Sequence, residues 1–246
     1  LQVAVWLCIA LLFAVPAEAS RDFLISRWQT EHGLPQNTVQ AILQTRDGYL
    51  WLGTHHGLAR FDGFSFRVFN RANTPDLISE RISALFQDSE GVLWVGTEGG
   101  GVTRISGSKV ESLSIAHGLS SEMVTCIAED GSKTIWVGTS FGLNRWRGDR
   151  FTSFTMGEAF PGNEIAALVI DPAGTLWIAT DQGLVRYANG QFQVIGSIGV
   201  AIKTLAIGTA NTLWVGTAGD GLLLLRTDTL EVAQQHLLPE EFTAIA

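Results

Sequence analysis

The residues best suited to chemistry lie in short loops between apolar runs. The adjacent pair His55 and His56 is one such group, because imidazole is a common metal ligand. Neighbouring residues in a strand or tight turn point in different directions, however, and no third ligand stands at a fixed spacing from the pair. The sequence therefore favours a solvated pair of histidines and predicts no metal site.

Three carboxylates stand in comparable loops further along the chain. Glu98, Asp181 and Asp220 would form an acidic ring if those loops met, and such a ring would accept hydrogen bonds from a polar ligand such as a glycan. They would equally serve as solvated turn residues, and the sequence leaves both interpretations open. The candidate ligand-binding residues are His55, His56, Glu98, Phe141, Asp181 and Asp220.

Nothing in the sequence has the spacing of a catalytic or cofactor centre. The G-x-S-x-G, H-E-x-x-H and C-x-x-C patterns are all absent from the sequence. The glycine-rich segment 98–101 is not a phosphate cradle, because no helix follows it. A formal net charge of -8 repels phosphate backbones, so nucleic acid is not a predicted partner. We expect no catalysis and no cofactor in these residues.

A repeated tryptophan motif indicates the elements that position these loops. An apolar strand-like run with tryptophan second and threonine last recurs at 50–54, 93–97, 135–139, 176–180 and 213–217. The tryptophans are 43, 42, 41 and 37 residues apart, and only short β-type runs lie between them. This period predicts an all-β propeller of four-stranded antiparallel blades, here a fragment with five full blades and parts of others.

The predicted blades cover 37–70, 80–115, 122–156, 163–196 and 200–235, and a further blade begins at 241–246. In the first blade, strands are expected at 39–45, 50–54, 58–61 and 64–69. A residue repeated in every blade within an apolar strand is expected to pack one blade against the next. We therefore predict a structural core of the tryptophans Trp51, Trp94, Trp136, Trp177 and Trp214.

The first 36 residues contain two predicted segments. Residues 1–19 read as a secretory signal peptide, because residues 3–15 are almost wholly apolar and are followed by Pro16 and the small-residue site Ala17-Glu18-Ala19. Residues 20–36 are predicted to supply an outer strand, at 23–28, and a loop that close the last blade. The partner strands of that blade would come from a continuation of the chain past Ala246. Cys126 would be the single cysteine after cleavage, and we expect a buried thiol there.

The predicted loops differ between the two faces of the propeller. Turns between the first and second strands, and between the third and fourth, are short and repetitive, as in Asp47-Gly48 and Asp62-Gly63. The turns after the second strand and the connections between blades, at 70–80, 116–122 and 157–164, are varied. We call the side with these varied segments the loop face. Variation on one side of a constant scaffold is typical of a binding surface, so a ligand is expected there.

The repeat L-W-V-G-T-x-x-G-L-x-R, preceded by a D-x-x-G-like turn, resembles the two-component regulator propeller repeat. Segments 54–60, 139–145 and 180–186 fit it closely. Segment 97–104 has one extra glycine, the fourth copy has Ala179 for glycine, and the fifth has an insertion and Leu224 for arginine. The segment 33–37 also resembles the start of this repeat.

The resemblance implies the input half of a membrane-bound sensor. We expect an exported, periplasmic ligand-sensing domain of a two-component, often hybrid, sensor histidine kinase, attached to the membrane through a segment after residue 246. The input domain of a diguanylate cyclase, a secreted propeller enzyme acting on polysaccharide and a protein-interaction propeller remain alternatives. The expected partners are a small ligand, such as an oligosaccharide, and a second copy in a homodimer.

Overall fold

The computed structural model of the chain describes residues 25–155, 157 and 161–236. These residues form five separate antiparallel sheets, each of four strands in sequential order. The predicted all-β fold with four-stranded blades is confirmed. The predicted signal peptide at 1–19 and the start of a further blade at 241–246 lie outside the described residues.

The strands follow the order of the chain. The first sheet contains β1 (Val39–Gln44), β2 (Leu50–Thr54), β3 (Gly57–Phe61) and β4 (Phe66–Phe69). The second contains β5 (Ile82–Gln87), β6 (Leu93–Thr97), β7 (Val102–Ser106) and β8 (Lys109–Leu113). The third contains β9 (Val124–Glu129), β10 (Ile135–Thr139), β11 (Gly142–Arg147) and β12 (Arg150–Phe154). The fourth contains β13 (Ile165–Ile170), β14 (Leu176–Thr180), β15 (Gly183–Ala188) and β16 (Gln191–Ile195). The fifth contains β17 (Ile202–Ile207), β18 (Thr212–Thr217), β19 (Leu222–Arg226) and β20 (Val232–His236).

The sheets are arranged like the blades of a propeller. The first strands of consecutive sheets, β1, β5, β9, β13 and β17, contact one another in that order. Each of them after β1 also contacts the second strand of the sheet before it. The innermost strands therefore form an arc, and the fourth strand of each sheet is outermost. Two 3-10 turns, Thr30–His32 and Ile115–His117, are the helical segments of the described chain, and neither could traverse a bilayer.

Four of the five repeated tryptophans point from their own sheet into the next. Trp51 packs against Ile82, Leu93 and Val95 of the second sheet. Trp94, Trp136 and Trp177 make the same contact with the sheets that follow them, and all three are almost fully buried. Trp214 is only half-buried in the described part of the chain. The repeat is thus explained by one packing contact made again between successive sheets.

In the first three sheets, the glycine two residues after the tryptophan gives the next sheet room to approach, whereas the fourth sheet has Ala179 at this position. A Cβ atom at Gly53 would lie 2.6 Å from Cγ2 of Ile82, and one at Gly96 would lie 2.6 Å from Cγ1 of Val124. Both neighbours belong to the innermost strand of the following sheet. No carbon pair tolerates such a distance, so glycine is required wherever the sheets approach this closely.

In the second, third and fourth sheets, the turn between the first two strands is fixed by an aspartate six residues before the tryptophan. Asp88 accepts hydrogen bonds from the backbone N–H of Glu90 and Val92, at 3.0 and 2.8 Å, and from the indole Nε1 of Trp94 at 2.7 Å. Asp130 and Asp171 hold their tryptophans in the same way. This explains the D-x-x-G pattern, because one carboxylate closes the turn and also satisfies the buried indole.

The fourth residue of this turn lies in the left-handed region. Gly91 has φ 87° and Lys133, which replaces glycine in the third sheet, has φ 61°. A side chain in this conformation is strained, since the left-handed region favours glycine. The ammonium group of Lys133 lies 3.4 Å from the carboxylate of Glu90, in the equivalent turn of the preceding sheet.

The segment before the first sheet differs from its prediction. Residues 25–29 have no regular secondary structure, and the rest of the predicted strand at 23–28 lies outside the described residues. A strand needs a hydrogen-bonding neighbour, and none of the described strands pairs with this segment. Trp28 instead packs on Phe61 and Phe66, with ring centroids 4.7 and 5.7 Å apart. The pairing of this segment within a last blade stays a prediction.

Candidate functional site

A buried threonine shapes every turn on the loop face. The last residue of the second strand in each sheet donates its hydroxyl to the carbonyl of the glycine that opens or precedes the third strand, at 2.8–2.9 Å; the five are Thr54, Thr97, Thr139, Thr180 and Thr217. All five are fully buried. The repeated threonine therefore gives the turns a common frame, and the residues within them are free to differ.

The residue after each threonine ties its turn to the connection from the preceding sheet. The backbone N–H of Glu98 donates to the carbonyl of Arg81 at 2.8 Å, and the N–H of Ser140 donates to the carbonyl of Met123 at 3.0 Å. Asp181 and Ala218 make the same bond in their sheets. At His55 the acceptor is a side chain, Oε1 of Gln36, at 3.1 Å. These bonds join both kinds of varied segment into one surface.

Two of the predicted acidic residues have partners within the protein. The guanidinium of Arg81 makes an ion pair with Glu98 at 2.6 Å, and both side chains are partly exposed. The carboxylate of Asp181 accepts a hydrogen bond from the backbone N–H of Glu164 at 3.2 Å. Each carboxylate thus supports the loop beside it, and its capacity to accept further hydrogen bonds from a ligand is reduced.

The third predicted acidic residue occupies a different position. In the fifth sheet the residue after the threonine is Ala218, and Asp220 stands two residues further along an inserted loop. Its side chain is exposed, and its backbone carbonyl accepts a hydrogen bond from Gln235 at 3.2 Å. No three His, Cys, Asp or Glu residues of the described ranges are grouped so that they could hold a metal ion. A ligand role for the acidic residues stays a prediction.

An open groove on the loop face brings His55 together with residues that the sequence did not indicate. The groove has a volume of about 870 Å³, and its lining includes His55, Arg71, Ile78 and Arg81. Except for His55, these residues belong to the connection between the first and second sheets. The backbone N–H of Arg71 donates to the carboxylate of Glu80 at 2.9 Å, which folds this connection back upon itself. His56, next to His55, is exposed and lies outside the groove lining.

Exposed apolar side chains extend this surface. Ile78 is 51% exposed, Met123 is 50% exposed and Phe141 is 53% exposed. Met123 pairs with Glu98 in an isolated β-bridge and accepts the N–H of Ser140, so it lies between the groove and Phe141. The loop face therefore combines imidazole and guanidinium donors with apolar side chains. This mixture suits a ligand with both hydroxyl groups and apolar faces.

A protein-family comparison identifies the same repeat. The family described as "Two component regulator propeller" matches the chain in four segments, at residues 33–56, 76–99, 118–141 and 159–182. Each segment runs from a connection between sheets to the turn that follows the tryptophan strand. No curated protein matches the sequence significantly.

Solved structures with the same fold include extracellular domains of two component systems and a lyase. The extracellular domain of a protein assigned as a hybrid two component system of B. thetaiotaomicron has a TM-score of 0.73 and 22% identity, over 85% of this chain and 31% of that chain. A second such domain from B. thetaiotaomicron has a TM-score of 0.55 and 19% identity, over 88% and 38% of the two chains. Virginiamycin B lyase from Staphylococcus aureus has a TM-score of 0.65 and 14% identity, over 82% and 70%. At these identities the likeness shows the fold alone, and the chain spans about a third of the two extracellular domains.

Proposed function

Because the chain belongs to the two component regulator propeller family, we propose that it is a ligand-sensing propeller of a membrane-bound signalling protein, exposed in the periplasm. The proposed output is a hybrid sensor histidine kinase. Support comes from the repeat and from the fold shared with extracellular domains of hybrid two component systems. The observation that carries the proposal is the loop face, where a constant threonine frame presents varied side chains beside an open groove.

The proposed ligand is a small molecule that binds across neighbouring turns. His55 and Arg71 would donate hydrogen bonds, and Ile78, Met123 and Phe141 would contact its apolar faces. An oligosaccharide has this combination of groups, with hydroxyls around a ring and C–H groups above and below it. A ligand in the groove would bridge the first two sheets, since the groove is lined from both. It would thereby favour one arrangement of the sheets, and a population shift of this kind is how ligand binding biases a signalling state.

An oligosaccharide array tests this proposal with two matched variants. Phe141→Ala removes a ring that is 53% exposed on the loop face, and Phe64→Ala removes a ring that is 88% exposed in the β3–β4 turn on the opposite face. We expect the wild-type protein to bind a small set of glycans. Phe141→Ala and Arg71→Ala should weaken that binding about tenfold or more, and Phe64→Ala should leave it unchanged. Failure to bind any glycan, or loss of binding in Phe64→Ala alone, would contradict the proposal.

A further inference from the structure

An arginine is repeated in the third strand of four sheets, on the side that faces the next sheet. It is paired in register with the tryptophan of the second strand, as Arg60 is with Trp51 and Arg104 with Trp94. In the first three sheets the guanidinium group of this arginine lies over an aromatic ring, and Cζ of Arg104 is 4.9 Å from the Trp94 ring centroid. On this side of each of these sheets, the tryptophan of the second strand, the arginine of the third and one residue of the fourth therefore lie side by side.

The fourth-strand residue decides whether this arginine is paired. Arg104 lies opposite Glu111, and the two make an ion pair at 3.6 Å. Arg186 lies opposite Gln193 and donates from Nε to its Oε1 at 2.9 Å. In these two sheets the cross-strand neighbour accepts the arginine's hydrogen bonds or neutralises its charge.

The first sheet reverses this arrangement, because Arg60 lies directly opposite Arg67. Like charges facing each other across an antiparallel pair are destabilising. In the part of the chain that the structure describes, neither guanidinium has a carboxylate within ion-pair distance or a side-chain hydrogen bond. Their contacts are with rings: Cζ of Arg60 lies 4.1 Å from the Tyr49 centroid, and Cζ of Arg67 lies 5.0 Å from that of Phe69. Ring faces hold the planar groups in place and leave their N–H edges available.

Both arginines line one groove between the first and second sheets. Its volume is about 580 Å³, and it is separate from the groove on the loop face. Leu93, Ile105 and Val110 supply an apolar wall from the second sheet. Two carboxylates also line the groove, but neither is paired with the arginines, and that of Asp47 accepts a hydrogen bond from Thr45 instead. An anion between the two guanidinium groups would remove their repulsion and use their free N–H donors.

We propose that Arg60 and Arg67 form a binding site for an oxyanion: a carboxylate, a sulfate or a phosphate. The planar guanidinium fork matches the oxygens of all three groups and binds them through two parallel hydrogen bonds. Although the chain has a net charge of -8, two unpaired arginines opposite each other in one groove attract an anion locally. This site does not depend on the proposed sensing function of the loop face.

The test titrates the whole chain with sodium sulfate, sodium phosphate and sodium acetate, each at constant ionic strength set with sodium chloride. Side-chain Nε–Hε resonances of arginine report binding by NMR. We expect saturable shifts of Arg60 and Arg67 with at least one of the three anions, and the anion that saturates first identifies the chemistry. Arg67→Gln should weaken the affinity about tenfold to a hundredfold, the effect of losing a charged hydrogen-bonding partner.

Two further variants separate binding from folding. Arg67→Glu places a carboxylate opposite Arg60, as Glu111 lies opposite Arg104 in the second sheet. This variant should abolish anion binding without lowering the thermal unfolding midpoint. Arg186→Gln changes the net charge as Arg67→Gln does, but in the fourth sheet, and should leave the affinity unchanged. The proposal is overturned if no anion gives saturable shifts, if Arg67→Glu binds as the wild type does, or if Arg186→Gln weakens binding equally.

Discussion

Replacing Asp88 with alanine tests how the aspartate turn supports the packing between sheets. The substitution removes the acceptor of the Trp94 indole N–H and of the Val92 backbone N–H, at 2.7 and 2.8 Å, and both residues are buried. Each buried donor left without a partner costs about 1–3 kcal/mol, so the free energy of unfolding should fall by about 2–6 kcal/mol. That is a large part of the roughly 5–15 kcal/mol that stabilises a typical domain.

Urea unfolding followed by tryptophan fluorescence measures this loss. Asp149→Ala is the matched control, because Asp149 is an exposed turn residue whose side chain has no partner among the described residues, and it should change the free energy by less than about 0.5 kcal/mol. Asp88→Asn keeps one acceptor oxygen and should fall between the two. If Asp88→Ala unfolds within about 0.5 kcal/mol of the wild type, the indole bond does not support the blade and the reasoning is refuted.

Three other predictions concern packing, backbone strain and the half-buried thiol of Cys126. Gly96→Ala places a Cβ 2.6 Å from Val124 and should lower the free energy of unfolding by about 1–3 kcal/mol. Gly131→Ala is the control and should have little effect, because no atom lies within 4 Å of the added Cβ. Equal urea midpoints for the two variants would contradict this prediction. Lys133→Gly removes the backbone strain of a side chain at φ 61° and also removes the surface ion pair with Glu90. The net effect should be to stabilise the protein by about 0.5–1 kcal/mol. A thermal midpoint below that of the wild type would show that no strain is relieved. Burial raises the pKa of the Cys126 thiol from 9.0 to about 12. At pH 8 the folded protein should therefore react with a thiol reagent much more slowly than the urea-unfolded protein, and stability should decline as pH rises from about 9 towards 12. Equal labelling rates of the folded and unfolded protein would disprove this.

The sequence predicts the strands and the blade architecture well because each repeated residue has one physical task. A tryptophan that must fill the space before the next sheet recurs in every copy, and a glycine such as Gly96 recurs where that sheet approaches most closely. The threonine at the end of the same strand recurs because its hydroxyl closes the following turn. These contacts lie within one repeat or between adjacent repeats, so they are visible as a pattern.

The candidate sites are harder to predict because they depend on turn lengths and on pairs between unlike segments. The ion pair of Arg81 and Glu98 joins a connection to a turn 17 residues away, and nothing in the repeat indicates it. The insertion in the fifth copy similarly moves Asp220 out of the position that Asp181 occupies.

The register of the arginine pair also depends on a turn. The β3–β4 turn of the first sheet has four residues, 62–65, and Phe61 pairs with Phe66. A two-residue turn would have placed Ser65, not Arg67, opposite Arg60. Asp62 fixes the longer turn by accepting hydrogen bonds from the backbone N–H groups of Ser65 and Phe64, and these bonds lower its pKa. Such register shifts cannot be read from an Asp-Gly pair alone.

Recognition on the loop face is tested most directly by hydrogen–deuterium exchange with a glycan that the array identifies. The Arg67→Glu variant is the suitable protein, because it lacks the proposed anion site and reports the loop face alone. We predict that the glycan slows exchange in the segments 70–81, 98–101 and 140–142. Slower exchange confined to the turns at 46–48, 62–65 and 106–109, on the opposite face, would contradict the account.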